Sequence, residues 1–267
     1  MKTELIVIAA LMAGFALAEA LTSSFLRKPG QTRADVWVEV VGTALLIAVT
    51  QPLALAGGAF VANWVAPASE NALQDWPVLG QLALLLIFDD LMQYTWHRLA
   101  HSVPWLYALH RPHHEAAYMS VRVVYRNNVF YYLLMPSLWL SGALIWLGLG
   151  WVYAFYVVVK LAVIMGAHCD VRWDGPLYRV PALAPLAWLV ERTISTPATH
   201  FAHHGKHRSD GITHYKGNFG NLLFFWDVLF GTAKITRKYP TAYGVENLPA
   251  TSAAEQLFWP LIRRRPT

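Results

Sequence analysis

Long apolar runs separated by short polar breaks occupy the first two thirds of the chain, and shorter mixed segments follow. Residues 4–24 are mostly apolar, enough to span a hydrocarbon core, which takes about 20 helical residues. Their start also has the form of a secretory signal, with Lys2, an apolar core and Ala18-Glu19-Ala20. Residues 36–62 exceed what one crossing needs, so a tilt or a break near Pro52 or Gly57-Gly58 is expected. A third run, 78–96, leads into a polar stretch rich in histidine. Residues 129–167 are interrupted at Gly148-Leu149-Gly150, which predicts two spans joined as a hairpin. Beyond them the chain is broken by prolines, and residues 184–193 and 219–230 are expected as short amphipathic helices on the membrane face. The pattern predicts an all-α fold: a polytopic membrane helix bundle of four to five crossings with a cytosolic helical cap. Three regions are expected: anchoring helices over 1–76, a catalytic region over 77–235, and a cytosolic tail over 236–267.

Composition agrees. The 267 residues are 56% hydrophobic and 14% charged, against roughly 25% charged in an average soluble domain. The single cysteine, Cys169, excludes an intramolecular disulfide framework and thiolate-rich metal sites. Trp37, Trp64, Trp76, Trp96 and Trp151 fall near the predicted span ends, where indole rings favour the membrane interface.

Charge orients the bundle. Arg27, Lys28 and Arg33 follow the first run, whereas the loop over 67–76 carries Glu70 and Asp75 and no basic residue. With the amino terminus outside, all of the 21 Lys and Arg except Lys2 and Lys160 fall on the cytoplasmic side or beyond it in the cap, as the positive-inside rule asks. A cleaved first segment would reverse this. The basic residues are dispersed rather than striped along one face, so nucleic-acid binding is not expected. Arg263-Arg264-Arg265 form a basic end suited to anionic membrane lipids. The expected location is a multi-pass place in a bacterial inner membrane with the histidines in the cytosol.

All 11 histidines lie between His97 and His214. They read His97-x3-His101, His110-x2-His113-His114, a solitary His168, and His200-x2-His203-His204, followed by His207 and His214. Residues i and i+4 share a helix face, and the middle histidine of each HxxHH is displaced by about 100°. One such group can therefore reach two metals. Some nine nitrogen donors are too many for one tetrahedral ion, so spacing and count point to a dinuclear, all-histidine site. Asp89 and Asp90 sit in the last third of the third span, where ionisable groups are costly. Asp89, Gln93 and His97 share a face at i, i+4, i+8, which suggests that the aspartates support the ligands. Lys160, inside the hairpin, can snorkel or pair with a buried carboxylate.

WHRLAH at 96–101, HRPHH at 110–114, HCDVRW at 168–173 and TPATHFAHH at 196–204 resemble the fatty acid hydroxylase superfamily, which includes sterol desaturases and alkylglycerol monooxygenase. NFGNLLFFWDVLFGT at 218–232 resembles that family's closing segment. The resemblance covers roughly residues 89–232. It implies a non-haem centre of two iron ions that activates dioxygen and oxidises a lipid C–H bond; imidazole sites also bind zinc readily, so zinc can replace iron in purified protein. Carried over motif by motif, the ligands would be His97, His101, His110, His113, His114, His168, His200, His203 and His204, and Asn218 and Asp227 match family positions that could orient ligands or a bound water. The chain departs from some relatives at Arg172, where they have a further histidine. His207 and His214 lie in a longer stretch before Asn218 and stay outside the core set.

The expected function is a membrane-bound lipid hydroxylase or monooxygenase, with a desaturase as the alternative enzyme and a metal transporter or sensor as the alternative without catalysis. A transporter would place its ligands near mid-membrane in broken helices, often with internal repeats; here they follow the span ends and no repeat is visible. With no GxGxxG after a strand, electrons are expected from a separate donor protein.

Overall fold

The computed structural model describes residues 2–249 and 251–263, with side chains from Ile6 onward. Arg264 and Arg265 of the basic end lie outside the described residues, and Arg263 stacks on the Trp259 ring. The described chain is helical, and its only β-pairings are two isolated bridges.

Helix α1 spans Lys2–Thr22. Thr32 then opens α2, Arg33–Leu45, through a reciprocal cap with Asp35. A π turn at Leu46–Thr50 joins α2 to α3, Gln51–Val65. The break expected near Pro52 is this turn: proline has no N–H and crowds the carbonyl four residues back, and one wide turn relieves the clash. Gly57 and Gly58 break nothing. They let α3 touch α8, Pro136–Leu144; a Cβ added at Gly58 would stand 1.8 Å from the Trp139 carbonyl oxygen, and one at Gly142 would stand 2.0 Å from that of Leu55. Small residues are what let two membrane helices pack backbone to backbone.

The third run is α4, Val78–Leu85, a π turn at Leu86–Leu91, and α5, Met92–Ala100. Then come α6, Pro104–His114, α7, Val129–Leu133, α8, and α9, Gly150–His168. The expected hairpin is present. The chain turns at Gly148, whose φ is 108°, and a side chain there would meet Gln74 at 2.8 Å. The loop before α4 closes on this turn through Asn71 N–H to Trp146 O and Leu73 N–H to Leu147 O, at 3.2 and 2.8 Å. That is one end of the bundle. At the other, Tyr131 stacks on His110 and His168 lies beside His113.

Among the described residues three helical stretches, Arg33–Val65, Val78–Ala100 and Pro136–His168, are long and apolar enough to cross a membrane, the last reversing at Gly148. Phe60, Leu79 and Phe155 are more than two thirds exposed. A large outward apolar surface fits lipid rather than water, and the protein is an integral membrane protein. Trp37, Trp64 and Trp151 face outward, whereas Trp96 is buried against Tyr131 and Leu106.

The cap comprises α10, Gly175–Arg179, α11, Ala184–Thr193, and α12, Pro197–His204, followed by α13, Phe225–Leu229, and α14, Ala253–Phe258. The expected helix over 219–230 shrinks to α13. The amides of Phe219, Gly220, Leu222 and Leu223 are spent on the carboxylates of Asp227 and Asp90 instead of on a helix. Buried polar ties fasten the histidine end. Glu19 accepts hydrogen bonds from Ser120 and from the amides of Val121 and Asp170, and Arg126 pairs with Asp35 at 2.6 Å. Lys160 forms a buried ion pair with Asp89, which also accepts a hydrogen bond from Tyr156 at 2.7 Å.

Gly58→Ala and Gly142→Ala are expected to destabilise the protein by roughly 1–3 kcal/mol through overpacking at the α3–α8 contact. Gly14→Ala, where nothing lies within 4 Å, should be neutral or stabilising by up to about 1 kcal/mol. Thermal unfolding of the three variants in detergent checks this ordering.

Candidate metal centre

Four elements deliver the histidines. The last turn of α5 carries His97, and His101 caps its end. Helix α6 begins with Pro104 at its first turn, where a missing N–H costs nothing, and ends on His113 and His114. Helix α9 ends on His168. Helix α12 opens with Thr196 and Thr199 capping each other and closes on His203 and His204.

The nine histidines named from the sequence all meet. Potential ligand nitrogens of His97, His101, His110, His114 and His203 lie within 4.8 Å of one another, as do those of His113, His168, His200 and His204. The two HxxHH groups interleave. His110 and His114 enter the first set while His113 enters the second; His200 and His204 enter the second while His203 enters the first. The i, i+4 pair thus stays together, and the displaced middle residue crosses over.

The outer nitrogens decide what the inner ones can do. The Nδ1–H groups of His97, His113, His168 and His203 donate to the carbonyls of Phe219, Val123, Ile164 and Gly217, at 2.7 to 3.0 Å. His110 Nδ1–H donates to Asn127 Oδ1 at 2.8 Å. A neutral imidazole has one N–H, so these rings present bare lone pairs at Nε2. Yet His97 Nε2 lies 3.1 Å from His203 Nε2, and His113 Nε2 lies 3.2 Å from His168 Nε2. Two lone pairs at that distance repel unless a cation lies between them. Each set contains one such pair, and His101 Nε2 is buried with no partner. This donor chemistry fits metal ions, and all-imidazole nitrogen suits first-row metals such as iron or zinc.

Electrostatics point the same way. Burial holds His110, His113, His114, His200, His203 and His204 well below the ordinary histidine range, and neighbouring imidazoles push them lower. They are neutral, as ligation requires.

The four acidic and amide positions named from the sequence hydrogen-bond the frame rather than a histidine ring. Asp89 is occupied by Lys160 and Tyr156. Asp90 accepts from Trp226 Nε1 at 2.8 Å and from the amides of Leu222 and Leu223. Asp227 accepts from the amides of Phe219 and Gly220 and so aims the Phe219 carbonyl at His97. Asn218 bridges Thr199 O and Lys234 O. His207 lies on the surface against Glu246, His214 contacts Thr232 O, and Arg172 stacks on Tyr239. Asn127 and Asp174 were not singled out from the sequence. Asn127 orients His110, and Asp174 accepts the Ala198 amide at the start of α12. Asn127 follows Arg126 at the close of the histidine-rich stretch, a polar pair just before an apolar run, which was the available signal.

Two cavities reach the cluster. One, of about 680 Å³ and mainly apolar, lies among the membrane helices and touches His97, His110, His113 and His168. The other, of about 440 Å³, approaches His101 and His114 from the cap, where Tyr107, Lys206, Tyr215 and Lys216 line it.

Residues 82–232 match the fatty acid hydroxylase family. The chain is 30% identical over 198 residues to the ornithine lipid hydroxylase OlsE of Rhizobium tropici, covering 71% of this chain and 53% of that protein. It is 29% identical over 151 residues to the alkylglycerol monooxygenase of Homo sapiens and 28% over 156 residues to that of Danio rerio, in each case 54% of this chain and 28% of the relative. The chain thus spans about half the length of the first and just over a quarter of the others. No solved structure matches it.

Asn127→Leu, which removes the acceptor holding His110, is expected to weaken metal binding about 10- to 100-fold, read by competition with a chelator. The metal-free protein should lose stability in acid. Its buried histidines resist protonation, whereas the unfolded chain takes up protons as pH falls through about 6.5. Stability is therefore full above that pH and declines below it, by up to about 1.4 kcal/mol per histidine per pH unit until the folded pKa is reached. Thermal midpoints of the metal-free protein in detergent at pH 8 and pH 5.5 test this.

Proposed function

The chain belongs to the fatty acid hydroxylase family, and we propose that it is a dioxygen-dependent lipid hydroxylase or monooxygenase working from within the bilayer. The observation that carries this reading is the meeting of an apolar, membrane-facing cavity with both histidine sets. The reading assigns two iron ions, one held by His97, His101, His110, His114 and His203, the other by His113, His168, His200 and His204. Iron bound there would supply dioxygen activation and the oxidation of a C–H bond.

The chain's own residues do the rest. The carbonyls of Phe219, Val123, Ile164 and Gly217 hold the ring tautomers so that Nε2 faces inward. Met12, Leu46, Leu161 and Ile164 line the cavity and keep water from the acyl or alkyl chain. The walls of α1, α2 and α9 hold that chain against the cluster. The cap-side cavity gives solvent and small molecules a separate approach at His101 and His114. Electrons would come from a donor protein reaching this face. The basic residues favour its being cytosolic: Arg27, Lys28, Arg33, Arg98 and Arg111 lie toward the histidine end, while the loop at the far end has none.

Comparative lipidomics of cells with and without the gene under labelled dioxygen is expected to reveal a lipid that has gained one labelled oxygen. The His113→Ala and His203→Ala variants, one for each ion, should abolish that product and lower bound iron. An unchanged lipid profile, or both variants retaining two metals and full activity, overturns the reading. A product lighter by two hydrogens would instead identify a desaturase.

A further inference from the structure

The membrane cavity has a polar strip on its wall. Asp89, Gln93 and Lys160 all line it, among apolar neighbours such as Met12, Leu46 and Leu161. The Lys160 ammonium has three hydrogen-bond donors, and Asp89 is its one hydrogen-bond acceptor among the described residues. Gln93 Oε1 is buried and has no partner. Gln93 stands four residues from Asp89 and four from His97, so it shares a helix face with both at roughly 6 Å of rise. An acceptor without a donor therefore lies within about one turn of a cation with donors to spare, and the histidines follow one turn on. Burying unmet hydrogen-bonding groups is unfavourable, and a hydrocarbon chain in the cavity would leave them unmet.

We propose that Gln93 and Lys160 form a recognition point for a polar group on the lipid, one that both donates and accepts, such as a hydroxyl or a secondary amide. Its O–H or N–H donates to Gln93 Oε1 and its oxygen accepts from Lys160 Nζ. The carbon presented to the metals then lies roughly 6–12 Å away, one to two helical turns. The substrate class is a functionalised lipid rather than a plain hydrocarbon chain, and Gln93 sets which carbon is presented. This rests on the lipid-oxidation reading above.

The test is binding without turnover. The metal-loaded protein in detergent is offered tritiated 1-hexadecanol or its methyl ether, which differ in the hydroxyl donor. The wild type is expected to bind the alcohol about tenfold more tightly. Gln93→Met, of similar length but without the amide, should bind both equally with unchanged metal content. Gln93→Glu, which keeps an acceptor, should keep the preference. Equal binding of the two probes by the wild type, or a preference that survives in Gln93→Met, overturns the proposal. Either result leaves the labelled-dioxygen experiment free to succeed, so the two readings fail separately.

Discussion

Nine imidazoles crowded together, five of them with the ring proton turned outward to an oxygen, are the constraint on which the structure depends. Carbonyl groups on the outside commit the rings of His97 and His203, and of His113 and His168, to inward lone pairs only 3.1 and 3.2 Å apart. A lone pair facing a lone pair in a low-dielectric interior is repulsive. The frame must hold it without a proton, and a cation turns the same geometry into an attraction. Much of the surrounding polarity serves the frame: Asp227 aims Phe219, Asn218 ties α12 to the closing segment, and Asn127 holds His110.

The same need explains the charges inside an apolar bundle. Asp89 lies eight residues before His97 and Lys160 eight before His168, so their pair joins the helices that feed the two histidine sets. Glu19 and Arg126 act near the cap, each buried and multiply bonded. Removing one member of such a set leaves an unmatched buried charge, which costs about 3–5 kcal/mol. At the far end the close approach of α3 and α8 through Gly58 and Gly142 replaces charge with backbone packing.

The cluster sits between two unlike spaces. The larger cavity, among the membrane helices, is mainly apolar, and the smaller cap-side cavity is lined by lysine and tyrosine. On the proposed reading, keeping them apart would bring a water-insoluble chain and water-borne reactants to one centre from opposite sides. Tyr131 stacked on His110, with Met135 beside it, forms part of the wall on the lipid side.

The apolar runs alone determined a helical membrane bundle, because a lipid-exposed backbone must satisfy its own hydrogen bonds. The helical repeat determined more: i, i+4 pairs with a displaced middle histidine predict one segment serving two ions, and His110, His113 and His114 divide in that way. Even the break at Pro52 follows from a missing N–H. Only the tertiary structure decided how those donors were oriented. The carbonyls that set the histidine tautomers come from positions 10 to 122 residues away, or from one turn back in the case of His168, and a carbonyl is borne by every residue type, so no sequence pattern marks it. Likewise Asp89, placed by spacing on the face of His97, turned to Lys160 instead. In an apolar interior an ammonium 71 residues away along the chain attracts a carboxylate more strongly than a neutral imidazole already satisfied by a carbonyl.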